Sequence, residues 1–366
     1  MDLYRDKRVV LTLDAGGTNL VFNAFRGGKA LIPGIRKDAH ASHLEKCLAN
    51  MKAGFREVLE ATGTTPAAIS FAFPGPADYP NGIIDNSNNL PAFKGGVPLK
   101  GILEEEFRLP VFINNDGDLF AYGEALGGIL PEINARLEAS GSPKRYKNLV
   151  GFTLGTGFGA GFVSDGRLIT GDNVTAAEVW LFSNRHHPDV NAEDVVSIRS
   201  VQRVYAAEAG IPYPNDLEPK TIYEIAIGVR EGDRRAALKA YEETGRALGD
   251  TVANVLTFID GIAVIGGGIT GASSLYMPAM MEELNFKYHP SNVKEMPRLV
   301  QHVFNLDEEA DRQAFFRDYS RTVPIPGTNR TISYDPMPRL AVATSSRGAS
   351  ESIALGAYAF ALRHIR

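Results

Sequence analysis

Cysteine and tryptophan are nearly absent from this chain. Among 366 residues, Cys47 is the one cysteine and Trp180 the one tryptophan. A single thiol cannot build an intrachain disulfide framework or a thiolate zinc site. No apolar run approaches the length of a membrane span, and no signal-like apolar segment precedes the β-prone run that starts at Val9. An excess of positive charge is missing too. Thirty-eight Lys and Arg against 43 Asp and Glu leave a net charge of −5, which argues against general binding to nucleic acid or an anionic membrane. There is no G-x-x-x-x-G-K-[ST], so a P-loop NTPase is not supported. What remains is 44% hydrophobic and 22% charged, ordinary for a globular chain long enough to hold two cored domains. The expectation is a cytoplasmic protein with neither a membrane nor a nucleic-acid partner.

Glycine is plentiful, with 37 residues, and its placement carries information. The run Val9-Val10-Leu11-Thr12-Leu13 enters Asp14-Ala15-Gly16-Gly17-Thr18-Asn19. Glycines let a backbone approach an anion closely, and successive N–H groups in such a turn form an anion cradle. Thr18 adds a hydroxyl donor, and Asp14 stands where it could hold Mg²⁺ directly or through water. The same residues also suit an ordinary Asp/Gly hairpin. A second unit of this kind, Asn148 to Val163, carries Gly155-Thr156-Gly157-Phe158-Gly159-Ala160-Gly161. Four alternating glycines exceed what a bend requires, so the pair of turns suggests two halves, each with a phosphate loop.

Elsewhere the pattern alternates strand and helix, which implies an α/β sheet architecture. Helices are predicted over 42–62, with a Ser42/Glu45 capping box and a Gly63 stop, and over 98–107, 193–207, 234–259, 273–284 and 351–363. Strands are predicted over 69–73, 111–114, 262–265 and 340–343. The stretch 286–339 mixes proline, charge and aromatics and reads as an insertion. Asn115-Asp116 closes a strand just before a helix, where ligands of open α/β sheets collect. A carboxylate there can take the proton of a hydroxyl attacking phosphorus, although Asn and Asp also favour helix N-caps. Asn86, Asn88 and Asn89 suit vicinal sugar hydroxyls or simple turns. Gly266-Gly267-Gly268-Ile269-Thr270-Gly271 formally fits G-x-G-x-x-G, which would suit a nicotinamide-dependent oxidoreductase, but it comes late in the chain. A backbone surface against a nucleoside explains the same glycines.

Taken in order, these pieces resemble the ROK family of sugar kinases. The resemblance rests on Asp14-Ala15-Gly16-Gly17-Thr18-Asn19, Phe73-Pro74-Gly75-Pro76, Asn89-Leu90-Pro91, Asn115-Asp116, Leu154 to Gly161, Gly266-Gly267-Gly268 and Gly356-Ala357. It implies a two-domain α/β fold of the actin-like ATPase (ribonuclease H-like) type with an interdomain cleft. The boundaries expected are 1–117, 118–345 with the 286–339 insertion, and a terminal helix 346–366 packing back on the first domain. The resemblance further implies ATP and Mg²⁺, a hexose or N-acetylhexosamine acceptor and a homodimer. Asp116 would be the general base on the 6-OH. Gly75, Asn89, Asn115, Glu178 and Glu193 would bind the sugar. Gly16, Gly17, Thr18, Asn19, Gly155, Thr156 and Gly157 would hold phosphates, Asp14 would position Mg²⁺ through water, and Gly267 and Gly268 would pack near the nucleoside.

Two departures from the family stand out. Where the family has Gly-Glu-x-Gly-His, whose histidine binds sugar and zinc, this chain has Ala177-Glu178-Val179-Trp180-Leu181. The family's cysteine-rich zinc motif is missing as well, so no structural zinc is expected, and His186 or His187 is a candidate for the lost sugar contact. The missing histidine also raises a rival reading, a non-catalytic sugar sensor on the kinase fold. Repressors of the family carry an N-terminal helix-turn-helix. Here the phosphate strand starts at Val9, so the expectation disfavours a repressor.

Overall fold

A computed structural model describes residues 3–365 except 16, 17, 76, 86–90, 215 and 293. The chain divides into two compact units. One comprises residues 1–129, 161–177 and 347–366; the other comprises 130–160 and 178–346. Among the described residues no helix is long and apolar enough to cross a membrane.

The first unit is built on β1 (Val9–Ala15), β2 (Asn19–Arg26), β3 (Lys29–Ala30), β4 (Ile35–Asp38), β5 (Pro66–Ala72) and β6 (Val111–Asn114). The strand order is β3–β2–β1–β5–β6, with β4 also pairing β2. β1 and β2 form an antiparallel hairpin, while β1, β5 and β6 run parallel. β1 and β5 are apolar almost throughout because both sheet faces are covered. On one face lie α1 (Leu44–Thr62) and α2 (Leu99–Phe107); α1 turns Cys47, Met51, Phe55 and Val58 inward. Phe55 meets Phe22 edge-to-face at 5.0 Å, a burial whose loss to alanine would cost about 3–5 kcal/mol. Burial also pushes the Cys47 thiol up to about 11, so it is an inert part of this core. The expected Ser42/Glu45 box does not form. His43 is the N-cap and makes no side-chain cap bond.

On the other face, α3 (Asp116–Leu126) crosses α11 (Ala349–His364). A Cβ on Gly356 would lie 1.9 Å from the Leu119 carbonyl oxygen, and one on Gly123 would lie 2.0 Å from that of Ser352. Backbone-to-backbone contact is therefore what the Gly356 position requires.

The second unit holds most of α4 (Ile129–Ala139), then β7 (Asn148–Leu154) and the start of β8 (Phe158–Ser164). At Gly161 the chain passes into the first unit, where the end of β8 pairs antiparallel with β9 (Arg167–Leu168). A hairpin of β10 (Ser183–Asn184) and β11 (His187–Asn191) leads to α5 (Ala192–Val196), α6 (Ile198–Ala209), α7 (Pro219–Ala226) and α8 (Arg234–Ile259). The helix predicted over 193–207 is thus broken at Ser197, which caps α6. β12 (Ile262–Gly266) and α9 (Ser273–Leu284) follow, then β13 (His302–Asn305), α10 (Glu309–Phe316) and β14 (Arg339–Thr344). The sheet order is β8–β7–β12–β14–β13. β13 falls inside 286–339 and pairs in parallel with β14, so that stretch is not wholly an insertion. Four residues framed by proline and charge are too few to show a strand period. An exposed hairpin, Arg321–Pro324 with Thr331–Tyr334, makes up much of the rest.

Candidate active site

In the first unit the parallel register collects the predicted residues at one end of the sheet. Asp14 stands opposite Ala72, and Ala72 opposite Asn114. The exposed carboxylate of Asp14 and the Asn115–Asp116 corner therefore both sit at the carboxyl ends of parallel strands, where α/β sheets place ligands. Thr18 is exposed beside them, and its carbonyl accepts from the Ala39 N–H at 2.9 Å. Asn19 opens β2 opposite Asp38. Gly16, Gly17 and Asn89 lie outside the described residues, as do Asn86 and Asn88.

Asn115 is the N-cap of α3, and its Oδ1 accepts from the Gly117 N–H at 2.8 Å. Its Nδ2 reaches toward the Tyr79 hydroxyl at 3.5 Å, and that hydroxyl donates to the Phe73 carbonyl at 2.9 Å. A Cβ on Gly75 would sit 2.5 Å from the same hydroxyl. Tyr79 thus ties Gly75 to Asn115, a link that residue type alone did not suggest. Asp116 follows the cap and accepts from the Gly117 N–H at 2.9 Å, and no ion pair engages it among the described residues. By surface area its side chain is exposed, yet much protein is packed around it. That crowding is the main cause raising its carboxyl above the usual value. The Gly117 N–H and its own backbone oppose the shift, and the like charge of Asp14 adds to it. An accessible carboxylate without a cation partner and with a raised pKa is suited to proton transfer.

The second turn explains its four glycines one at a time. Gly155 faces open space, and Gly157 lies against Glu193, with 3.1 Å from a Cβ to Oε2. Gly159 lies against Thr153 at 2.7 Å, and Gly161 against the Gly117 carbonyl at 2.4 Å. The Gly155 N–H donates to the Gly157 carbonyl at 3.0 Å, and the Gly155 carbonyl accepts from the Ile198 N–H at 3.0 Å. β7 and β12 are neighbours, so Gly267 abuts the end of β7. It has φ of +102°, and a Cβ there would lie 2.1 Å from the Leu154 carbonyl oxygen. Gly268 is open, like Gly155. Residues 155–157 and 267–268 therefore share one end of the second sheet, where the backbone is open at Gly155 and Gly268.

Glu193 is occupied. Its Oε2 accepts from the Phe158 N–H at 3.0 Å, and its Oε1 from Arg199 at 2.8 Å. Glu178 is exposed and accepts from the Trp180 indole N–H. Leu181 is 58% exposed. The hairpin between the two glutamates is pinned to α8 and α9. Asn184 donates to the Ala247 carbonyl at 2.8 Å, and the Arg185 N–H to Asp250 at 2.9 Å. The Arg185 guanidinium pairs with Glu283 at 2.6 Å. Arg298 bridges Asp250 and Glu283, all three side chains being within 5% of full burial. His186 also turns to Glu283, at 3.0 Å, so its ring is engaged by the network. No local pattern announces this network, because its members are scattered from 185 to 298. Among the described residues no group of three or more His, Cys, Asp or Glu is arranged to hold a metal.

The chain is similar to proteins of known structure and name. A solved structure described as a glucokinase from Parabacteroides distasonis is 50% identical, with 100% of both chains covered and a TM-score of 0.90. An N-acetyl-D-glucosamine kinase of Vibrio cholerae is 25% identical over 78% of this chain and 92% of its own length. A glucokinase of Thermotoga maritima is 27% identical over 78% and 90%. The fold is that of the ROK sugar kinases, an actin-like ATPase fold. The family's match covers residues 10–303, which include both glycine turns, Asn115–Asp116 and Gly267–Gly268, and the chain belongs to the ROK family.

Proposed function

We propose that this chain is an ATP-dependent kinase of a hexose or N-acetylhexosamine, phosphorylating the 6-OH with Asp116 as general base. The observation that carries the reading is the Asp116 carboxylate: accessible, unpaired, raised in pKa and fixed at a helix start beside Asn115. The sugar hydroxyl oxygen attacks the γ-phosphorus, a new O–P bond forms and the bond to the β-phosphate bridging oxygen breaks. ADP leaves, and the hydroxyl proton passes to Asp116. Relatives named as glucokinase and N-acetyl-D-glucosamine kinase support the acceptor class.

Asn115, Gly75, Glu178 and Asn89 are the proposed sugar contacts of this reading. Thr18, Asn19 and the N–H groups of 16–17 and 155–157 are the proposed phosphate donors, with 267–268 on the nucleoside. The open faces of Gly155 and Gly268 support this, since backbone can approach a ligand there. Mg²⁺ keeps several waters and takes one or two carboxylates besides the phosphates, a donor set that Asp14 fits. It would neutralise charge on the β- and γ-oxygens. We place the protein in the cytoplasm as a homodimer.

The test is ADP release from ATP and Mg²⁺ over hexoses, N-acetylhexosamines and ketoses. Turnover with glucose or N-acetylglucosamine is the expected result. Calorimetric sugar binding without ADP release across the panel would overturn the kinase reading in favour of a sensor, the reading that Leu181 in place of histidine favours.

A further inference from the structure

A cavity of about 680 Å³ in the first unit lies along the outer edge of β6, the last strand of its sheet. Lys100 of α2, Arg167 of β9, and Arg363 and His364 at the end of α11 line it, and among the described residues no Asp or Glu does. This is a local reversal of sign in a chain whose net charge is −5. The basic groups that make bonds make them to uncharged oxygens. Lys100 donates to the Pro80 carbonyl at 3.1 Å, Arg363 to the Gly166 carbonyl, and His364 Nδ1 lies 2.8 Å from the Phe360 carbonyl. None of the four has a carboxylate partner among the described residues. Asn114 lines the same cavity and is 5% exposed. The cavity is therefore rich in donors and short of acceptor oxygens.

The cavity also has an apolar side. Phe112 and Phe360 meet at 5.9 Å, and the Phe360 ring stacks on His364 at 4.1 Å. A bare inorganic ion would leave these rings and most of the volume unused. We propose that the cavity is a second binding site, separate from Asp116, for a small phosphate monoester with an organic body, of the hexose phosphate class. The phosphate would take the cations, and the sugar would lie on the rings. Naming the hexose phosphate rests on the kinase reading above; the anion site itself does not. Asn114 immediately precedes Asn115–Asp116 on the same strand end, so an occupant would act directly on the segment that carries the proposed base.

The test is calorimetric titration of the full chain with glucose 6-phosphate, N-acetylglucosamine 6-phosphate and inorganic phosphate. It is run on the wild type, Arg167→Glu, Lys100→Gln and Asp116→Asn. Arg167 is exposed and no ion pair engages it among the described residues, so its replacement should leave the thermal midpoint unchanged. The expected result is hexose phosphate binding that weakens on the order of tenfold in Arg167→Glu and less in Lys100→Gln, with Asp116→Asn unaffected. Binding that survives Arg167→Glu and Lys100→Gln unchanged, or that disappears in Asp116→Asn alone, overturns the second site. So does an absence of binding by any of the three ligands. Inorganic phosphate binding as tightly as the sugar phosphates overturns the organic-body assignment. If no sugar supports ADP release while this pattern of phosphate binding holds, the kinase reading fails and the anion site stands.

Discussion

Asp116 and Glu193 are both carboxylates that the sequence singles out as sugar-site candidates, and the structure treats them in opposite ways. Asp116 accepts an N–H from its own helix and, among the described residues, meets no cation. Glu193 spends one oxygen on the Phe158 N–H, closing the second glycine turn, and the other on Arg199. The first carboxylate is left available for a proton. The second is used to set a backbone shape. Availability, more than residue type, separates a group suited to chemistry from one suited to architecture.

The largest expected effect comes from removing the available one. Asp116→Asn should lower kcat by about 10²- to 10⁴-fold, or about 3–5.5 kcal/mol of activation energy, while ATP binding persists. Turnover within a few-fold of wild type would remove the contrast. The same substitution carries a stability prediction of fixed sign. The folded carboxyl is raised, so ionising it opposes folding. That penalty is absent below the ordinary carboxylate range and grows as pH rises through the folded value. A permanently neutral Asn escapes it. Thermal unfolding at neutral pH should show Asp116→Asn as stable as wild type or more so, with the difference vanishing in acid. Since the base must be ionised, kcat/KM should fall on its acid limb at a pH above that of an ordinary aspartate. Asp14→Asn removes the neighbouring like charge and should move that limb to lower pH, whatever it does to the rate.

The hairpin that joins Glu178 to Glu193 gives the architectural side its own test. Arg298 is buried between Asp250 and Glu283. Arg298→Met leaves two carboxylates with too little positive charge, which costs about 3–5 kcal/mol when a buried pair is broken. Urea unfolding should register that loss. A cost below about 1 kcal/mol would mean that Arg185 alone balances the cluster.

This division also governs what the sequence discloses. The first turn, the helix start at Asn115 and the glycine at 267 are legible because each is a local requirement. A strand must end, four N–H groups need a cap, and a backbone must pass so close to a neighbouring carbonyl that a Cβ on it would lie 2.1 Å from the oxygen. The tie from Glu193 to Phe158 spans 35 residues, and the bonds of Arg298 to Asp250 and Arg185 to Glu283 span 48 and 98. Nothing in the local pattern at either end of such a bond marks it. β13 was hidden for a related reason: its partner β14 lies beyond a helix and an exposed hairpin. Tyr79 shows the intermediate case. It reads as a loop aromatic until the fold brings its hydroxyl against Phe73, Gly75 and Asn115.

The smallest effect is the most discriminating. Glu193→Gln keeps an oxygen for the Phe158 N–H but drops the charge, turning a charge-assisted bond into a neutral one at a cost of about 1 kcal/mol. If Glu193 chiefly shapes the turn, that loss should raise the KM for ATP about fivefold and leave kcat within about threefold. Glu193→Ala, which leaves the N–H unsatisfied, should do the same more strongly. If instead the KM for the sugar rises while that for ATP stays put, the carboxylate is spending its remaining lone pairs on the acceptor. A fall in kcat approaching that of Asp116→Asn would place the two carboxylates in one role and end the distinction between them.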